Sequence, residues 1–70
     1  MEMQKVESSN IAAVGFNMED KKLYIAFNSG KTYSYTDVPY ELYEGLLAAD
    51  SVGQYFHANI RNAGFEYAEV

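Results

Sequence analysis

The stretch Phe27-Asn28-Ser29-Gly30-Lys31-Thr32-Tyr33-Ser34-Tyr35, followed at once by Val38-Pro39, limits what this chain can fold into more than any other segment. A glycine-bearing turn between two runs rich in aromatic and β-branched residues is the mark of a β-hairpin. The run before it alternates: Leu23, Ile25 and Phe27 point to one face, Tyr24 and Ala26 to the other. Two loop lengths fit. A three-residue loop, Asn28-Ser29-Gly30, is a type I turn with Gly30 left-handed in a G1 bulge. It sets Phe27 opposite Lys31, Ile25 opposite Tyr33 and Leu23 opposite Tyr35, so both tyrosines join the apolar face. A two-residue loop, Ser29-Gly30, shifts the register by one. Tyr33 then faces Ala26, Tyr35 faces Tyr24, and three tyrosines form an exposed platform. Two-residue hairpin loops favour Asn-Gly or a leading glycine, so turn chemistry favours the first arrangement. The second carries the functional content, because exposed aromatics on a sheet stack single-stranded bases at roughly 1–3 kcal/mol per base.

The flanking segments complete the architecture. Residues 10–17 read as a first strand, in which Gly15 marks a bulge or a close backbone approach. Asn17 to Lys21 is a turn, and Lys31 to Tyr35 is the third strand of an antiparallel meander. Residues 1–8 are polar and without period, a loose lead-in. Asp37 fits the N-cap of a helix that takes Pro39 in its first turn, with Glu41 and Glu44 near the positive helix end. Leu42, Leu46 and Ala49 make one apolar stripe. Asp50-Ser51 breaks that helix and caps the next. There Val52, Tyr55, Phe56, Asn59 and Ile60 follow helical spacing. Asn59 is the polar member of that stripe. A buried amide without partners costs about 1–3 kcal/mol, so Asn59 is expected to tie the helix to a nearby backbone loop. The alternative is a small pocket shared with Tyr55 and Tyr33. Asn62-Ala63-Gly64 ends the helix, and Phe65-Glu66-Tyr67 is a candidate short edge strand. The fold class is α+β: a three-stranded antiparallel meander, two helices packed on one face, and an optional short fourth C-terminal strand.

The chain has 70 residues, which suits one domain over 1–70 with its core within about 6–61. Zero cysteines exclude disulfides, thiolate zinc sites and a cysteine nucleophile. No signal peptide or membrane-length apolar run is present, so a cytoplasmic location is expected. A net charge of −5 opposes general binding to phosphate backbones. Gly30-Lys31-Thr32 resembles the end of a phosphate-binding loop, but Ile25 occupies the position of the required upstream glycine, and the segment enters a strand rather than a helix. His57 lies on the solvent side of the second helix. Ser51, Asp50 and His57 make no triad, since Ser51 is more simply a helix cap. Asp37, Glu41 and Glu44 lack the dense oxygen loop that calcium needs. No nucleophile, cofactor box or acid–base pair emerges, and the expectation is a non-enzymatic protein with no cofactor and no metal.

Taken together, Phe27, Gly30, Tyr33 and Tyr35, then Val38-Pro39, then Tyr43, Leu46 and Ala49, then Ser51, Gly53, Tyr55-Phe56 and Ile60-Arg61 form a pattern that resembles the KTSC domain family. Ser8-Ser9 before the first strand also fits, and the paired tyrosines are that family's signature. These are small domains named for the C-terminus of some lysyl-tRNA synthetases and also found as stand-alone bacterial and phage-associated proteins. The resemblance implies a small α+β domain without an assigned activity, with RNA association suggested by the synthetase context. His57 stands where the family commonly has Asn, and the Asn62 to Phe65 tail departs from the pattern, so no role is carried to position 57. Two functions follow. One is an RNA-associated module using Tyr24, Lys31, Tyr33, Tyr35 and Arg61. The other is a protein-interaction or self-association module using an exposed sheet face or edge strand.

Overall fold

In the computed structural model, which describes residues 2–70, the central hairpin takes the three-residue loop. The Gly30 N–H donates to the Phe27 carbonyl at 3.0 Å, and the Phe27 N–H donates to the Lys31 carbonyl at 2.8 Å. Gly30 has φ +98°, and a Cβ there would meet no atom within 4 Å, so backbone conformation alone selects the glycine. The register follows from the loop: Leu23 pairs with Tyr35 and Ile25 with Tyr33. The core-facing register expected from turn chemistry is therefore the one adopted.

Five strands form one antiparallel sheet in chain order: β1 (Gln4–Lys5), β2 (Ile11–Asn17), β3 (Lys22–Phe27), β4 (Thr32–Tyr35) and β5 (Tyr67–Glu69). Helices α1 (Tyr40–Ala48) and α2 (Val52–Asn59), then a 3-10 turn (Arg61–Ala63), lie between β4 and β5. This segment, from Val38 before α1 to Ile60 after α2, packs Val38, Leu46, Val52, Phe56 and Ile60 with Val14, Leu23, Ile25 and Tyr35 of the sheet. Each such buried side chain contributes about 1.5–3 kcal/mol of transfer free energy. Tyr24, Ala26 and Ser34 point to the other face, which supplies nothing to the core.

The bulge lies in β2 between Ile11 and Ala13, not at Gly15, which pairs regularly with Tyr24. An extra residue resets the alternation, so Ile11 and Val14 both face the core despite their odd spacing. The helices meet at close range. A Cβ on Gly45 of α1 would overlap the Tyr55 phenol of α2.

Several expectations need correction. The sheet has five strands rather than three or four, because residues 4 and 5 pair with β2 instead of forming a loose lead-in. The last strand is Tyr67–Glu69, two residues later than expected, after Gly64 turns the chain at φ +85°. Asp37 does not cap α1; it adopts φ +57°, and the N-cap is Pro39, with no side-chain bond. Buried Val38 causes this, since its N–H donates to the Lys21 carbonyl at 3.0 Å and a residue before proline stays extended. Ser51 caps α2 as expected, accepting from the Gln54 N–H at 3.3 Å. Asn59 is exposed, and its amide donates to the Tyr55 carbonyl within the same helix at 3.1 Å.

Candidate functional site

Tyr33 and Tyr35 sit two apart on β4 and therefore share a face. α2 closes over only one of them. Phe56 meets Tyr35 edge-on, and Tyr35 is 6% exposed while Tyr33 is half-buried. β5 then brings Tyr67 opposite Tyr35, and Phe27 stands at the end of β3. The five rings make a closed circuit of neighbouring centroids. Phe27 lies 5.9 Å from Tyr33, Tyr33 is 6.0 Å from Tyr67, and Tyr67 is 5.7 Å from Tyr35. Tyr35 is 5.6 Å from Phe56, which returns to Phe27 at 5.7 Å. The contacts at Phe27–Tyr33, Phe27–Phe56 and Tyr35–Phe56 are edge-to-face, the arrangement that ring quadrupoles favour.

These rings line a cleft of about 470 Å³. Ser29 of the hairpin loop, Lys31 and Arg61 complete its wall. Lys31 leaves the hairpin, and Arg61 opens the 3-10 turn after α2; both are exposed. Two of the chain's five cationic side chains thus lie in one aromatic cleft, and no carboxylate lines it. The acidic net charge is carried elsewhere. Among the described residues, side-chain hydrogen bonds do not involve the Tyr35 hydroxyl and no buried side-chain oxygen lacks a partner, so this hydroxyl opens on the cleft.

Burial pushes the Tyr35 phenol above the ordinary value of 10.0, and the neighbouring Tyr67 and Tyr33 phenols push the same way; the Arg61 charge opposes them. Burial also raises Tyr43. Below pH 10.0 both folded and unfolded chains hold these protons, so the contribution to stability is intact. Above it the unfolded chain ionises first, and stability falls until the folded phenols ionise. The expected result is a urea midpoint that declines as pH rises through the ordinary phenol range. Tyr35→Phe should blunt the decline, and Arg61→Gln should move the last tyrosinate absorbance step to higher pH.

The structure gathers four of the five site residues read from the sequence: Lys31, Tyr33, Tyr35 and Arg61. Tyr24 is apart from them, on the opposite sheet face between Gly15 and Ser34. Besides Ser29, three aromatic residues complete the cleft. Phe27 and Phe56 read as core from their periodicity and also line the cleft. Tyr67 was hidden by the misplaced final strand. A second aromatic cluster, Phe16 of β2 with Tyr40 and Tyr43 of α1, has centroids 5.5–5.8 Å apart. Among the described residues, no three His, Cys, Asp or Glu side chains could hold a metal ion. No helix among them is long and apolar enough to cross a membrane.

Comparison with known proteins places this geometry. A family model described as the KTSC domain matches residues 7–65. A protein of Tsukamurella paurometabola is 41% identical over 59 residues, covering 84% of this chain and 88% of the relative. An uncharacterised protein of Stutzerimonas stutzeri is 33% identical over 70 residues, covering 100% and 99%. A lysine–tRNA ligase of a Nostoc species is 38% identical over 66 residues, which is 94% of this chain but 12% of the ligase. The crystal structure of a KTSC domain protein from Yersinia pestis superposes with a TM-score of 0.91 at 29% identity, covering 99% of this chain and 96% of that one.

Proposed function

The chain belongs to the KTSC domain family, and we propose that it is a non-enzymatic binding module whose aromatic cleft holds a segment of single-stranded RNA. The observation that carries this reading is the pairing of a ring of five aromatic side chains with Lys31 and Arg61 in a wall free of carboxylates. Tyr67 is 65% exposed and offers a ring face to an incoming base. Stacking of that kind contributes about 1–3 kcal/mol per base. Lys31 and Arg61 supply the phosphate contacts, Arg61 with the fork geometry that suits two phosphate oxygens. The lining holds neither carboxylate nor imidazole, so it has no pair suited to moving protons at neutral pH.

Family context points the same way. A region like this chain forms part of a ligase whose name specifies a tRNA. Self-association through strand edges draws less support. The two edge strands, β1 and β5, have two and three residues and offer few unpaired backbone groups to another chain.

Two phosphate contacts set the salt dependence. Log K should fall against log salt with a slope of about −1.4, roughly a sevenfold loss between 50 and 200 mM. Fluorescence anisotropy of a short labelled single-stranded RNA across that range measures it. A slope near that value supports the cleft, whereas no binding at the lowest salt, or a slope near zero, would overturn the proposal.

A further inference from the structure

The cleft does not stop at the aromatic ring. A second cavity of about 540 Å³ adjoins it, and the two share Phe27, Ser29, Phe56 and Arg61. The Phe27 and Phe56 rings, edge-to-face at 5.7 Å, form the ridge between them. The wall beyond the ridge changes character: tyrosines give way to Ser9, Asn10, Asn28 and His57. We infer that the groove is a two-nucleotide track, with Arg61 binding the phosphate between an aromatic stacking subsite and a polar subsite that reads the edge of the adjacent base. This inference rests on the RNA reading above and adds to it a second subsite and a length.

The polar wall is both rigid and unspent. Ser8 Oγ accepts from the Asn10 and Ile11 N–H groups at 3.2 and 3.3 Å. The Asn28 side-chain amide donates to the Ser8 carbonyl at 3.1 Å, and the Asn28 backbone N–H donates to the Asn10 carbonyl at 2.8 Å. These bonds pin the segment before β2 against the hairpin loop. Backbone groups, the Ser8 hydroxyl and the Asn28 amide make them, so the side chains of Ser9 and Asn10 are not consumed. Among the described residues, no side-chain hydrogen bond uses the Ser9 hydroxyl, the Asn10 amide or the His57 imidazole. A hydroxyl, an amide and an imidazole held on a fixed backbone suit hydrogen bonding to base edges, which is how unstacked RNA bases are read. Arg61 alone among the cations lines both cavities. That is the position an internucleotide phosphate requires.

The test uses the intact chain with the adenylates pA, pApA and pApApA at one low salt concentration, read by calorimetry. Adding the second nucleotide should tighten binding about tenfold or more, equivalent to one additional well-made contact set. Adding the third should change affinity by less than about threefold, since the track is then full. The double substitution Asn10→Ala and His57→Ala changes two exposed side chains. It should abolish the gain from the second nucleotide while leaving pA binding unchanged. If pA binds but pApA binds no tighter, or if the third nucleotide adds as much as the second, the two-subsite track is wrong and the aromatic site stands. An equal loss for pA and pApA in the double variant overturns it in the same way. If neither the adenylates nor a longer single-stranded RNA binds, the RNA reading falls and the track falls with it.

Discussion

Phe56→Ala is expected to cost about 3–5 kcal/mol, which for a domain of this size removes most of the folding free energy. Phe56 is 6% exposed and is the single ring of α2 that locks into the aromatic circuit, touching Phe27 and Tyr35 edge-on at 5.7 and 5.6 Å. Its removal strips apolar contacts from both the sheet and the helix, and the rigid hairpin beneath cannot collapse to fill the space. Leu at the same position conserves more of the volume, and the loss should be held near 1.5 kcal/mol. Urea unfolding followed by far-ultraviolet circular dichroism separates the two. A near-native midpoint for the alanine variant would mean that α2 is not anchored as described.

The double substitution Lys31→Gln and Arg61→Gln should weaken single-stranded RNA binding by about 100-fold or more, because a charge-assisted hydrogen bond contributes roughly 1.5–3 kcal/mol. Stability should hardly move. Both side chains are exposed, and surface changes of this kind usually stay within about 0.5 kcal/mol. Glutamine keeps much of the apolar stem of each side chain, so the change is chiefly one of charge. The remaining binding should lose its salt dependence, since the two phosphate contacts that release counterions are gone. Unchanged affinity measured by anisotropy would remove these two residues from the interface.

The expected salt behaviour and the expected fold have different roots in the sequence. The hairpin was legible because a local rule decides it: Ser29-Gly30 is a poor two-residue loop, so Gly30 takes a positive φ and the register follows. The cap of α2 was legible for the same reason, since Ser51 bonds three residues ahead. The edges of the sheet were not. β1 has two residues and β5 three, too few for an alternation to show, and β5 pairs with a strand that lies across both helices in sequence. The start of α1 was misread because the pull of Val38 into the core outweighs the capping preference of Asp37.

The candidate cleft was legible in part. Lys31, Tyr33, Tyr35 and Arg61 belong together, yet the choice between buried tyrosines and an exposed platform was a false opposition. The register of the core arrangement holds, but α2 is short and leaves the hairpin end of that face open, so Tyr33 is both packed and accessible. Tyr24 entered through the alternative register and is excluded from the cleft by the loop that was adopted. Tyr67 required knowing where β5 pairs. No periodicity in a three-residue strand reveals that.

The most direct test of the cleft is amide-shift mapping by NMR as a short single-stranded RNA is added at low salt. Shifts should concentrate at Lys31, Tyr33, Tyr35, Arg61 and Tyr67 and collapse as salt is raised. Shifts confined to the opposite face around Tyr24, Ala26 and Ser34, or no shifts at all, would contradict the assignment.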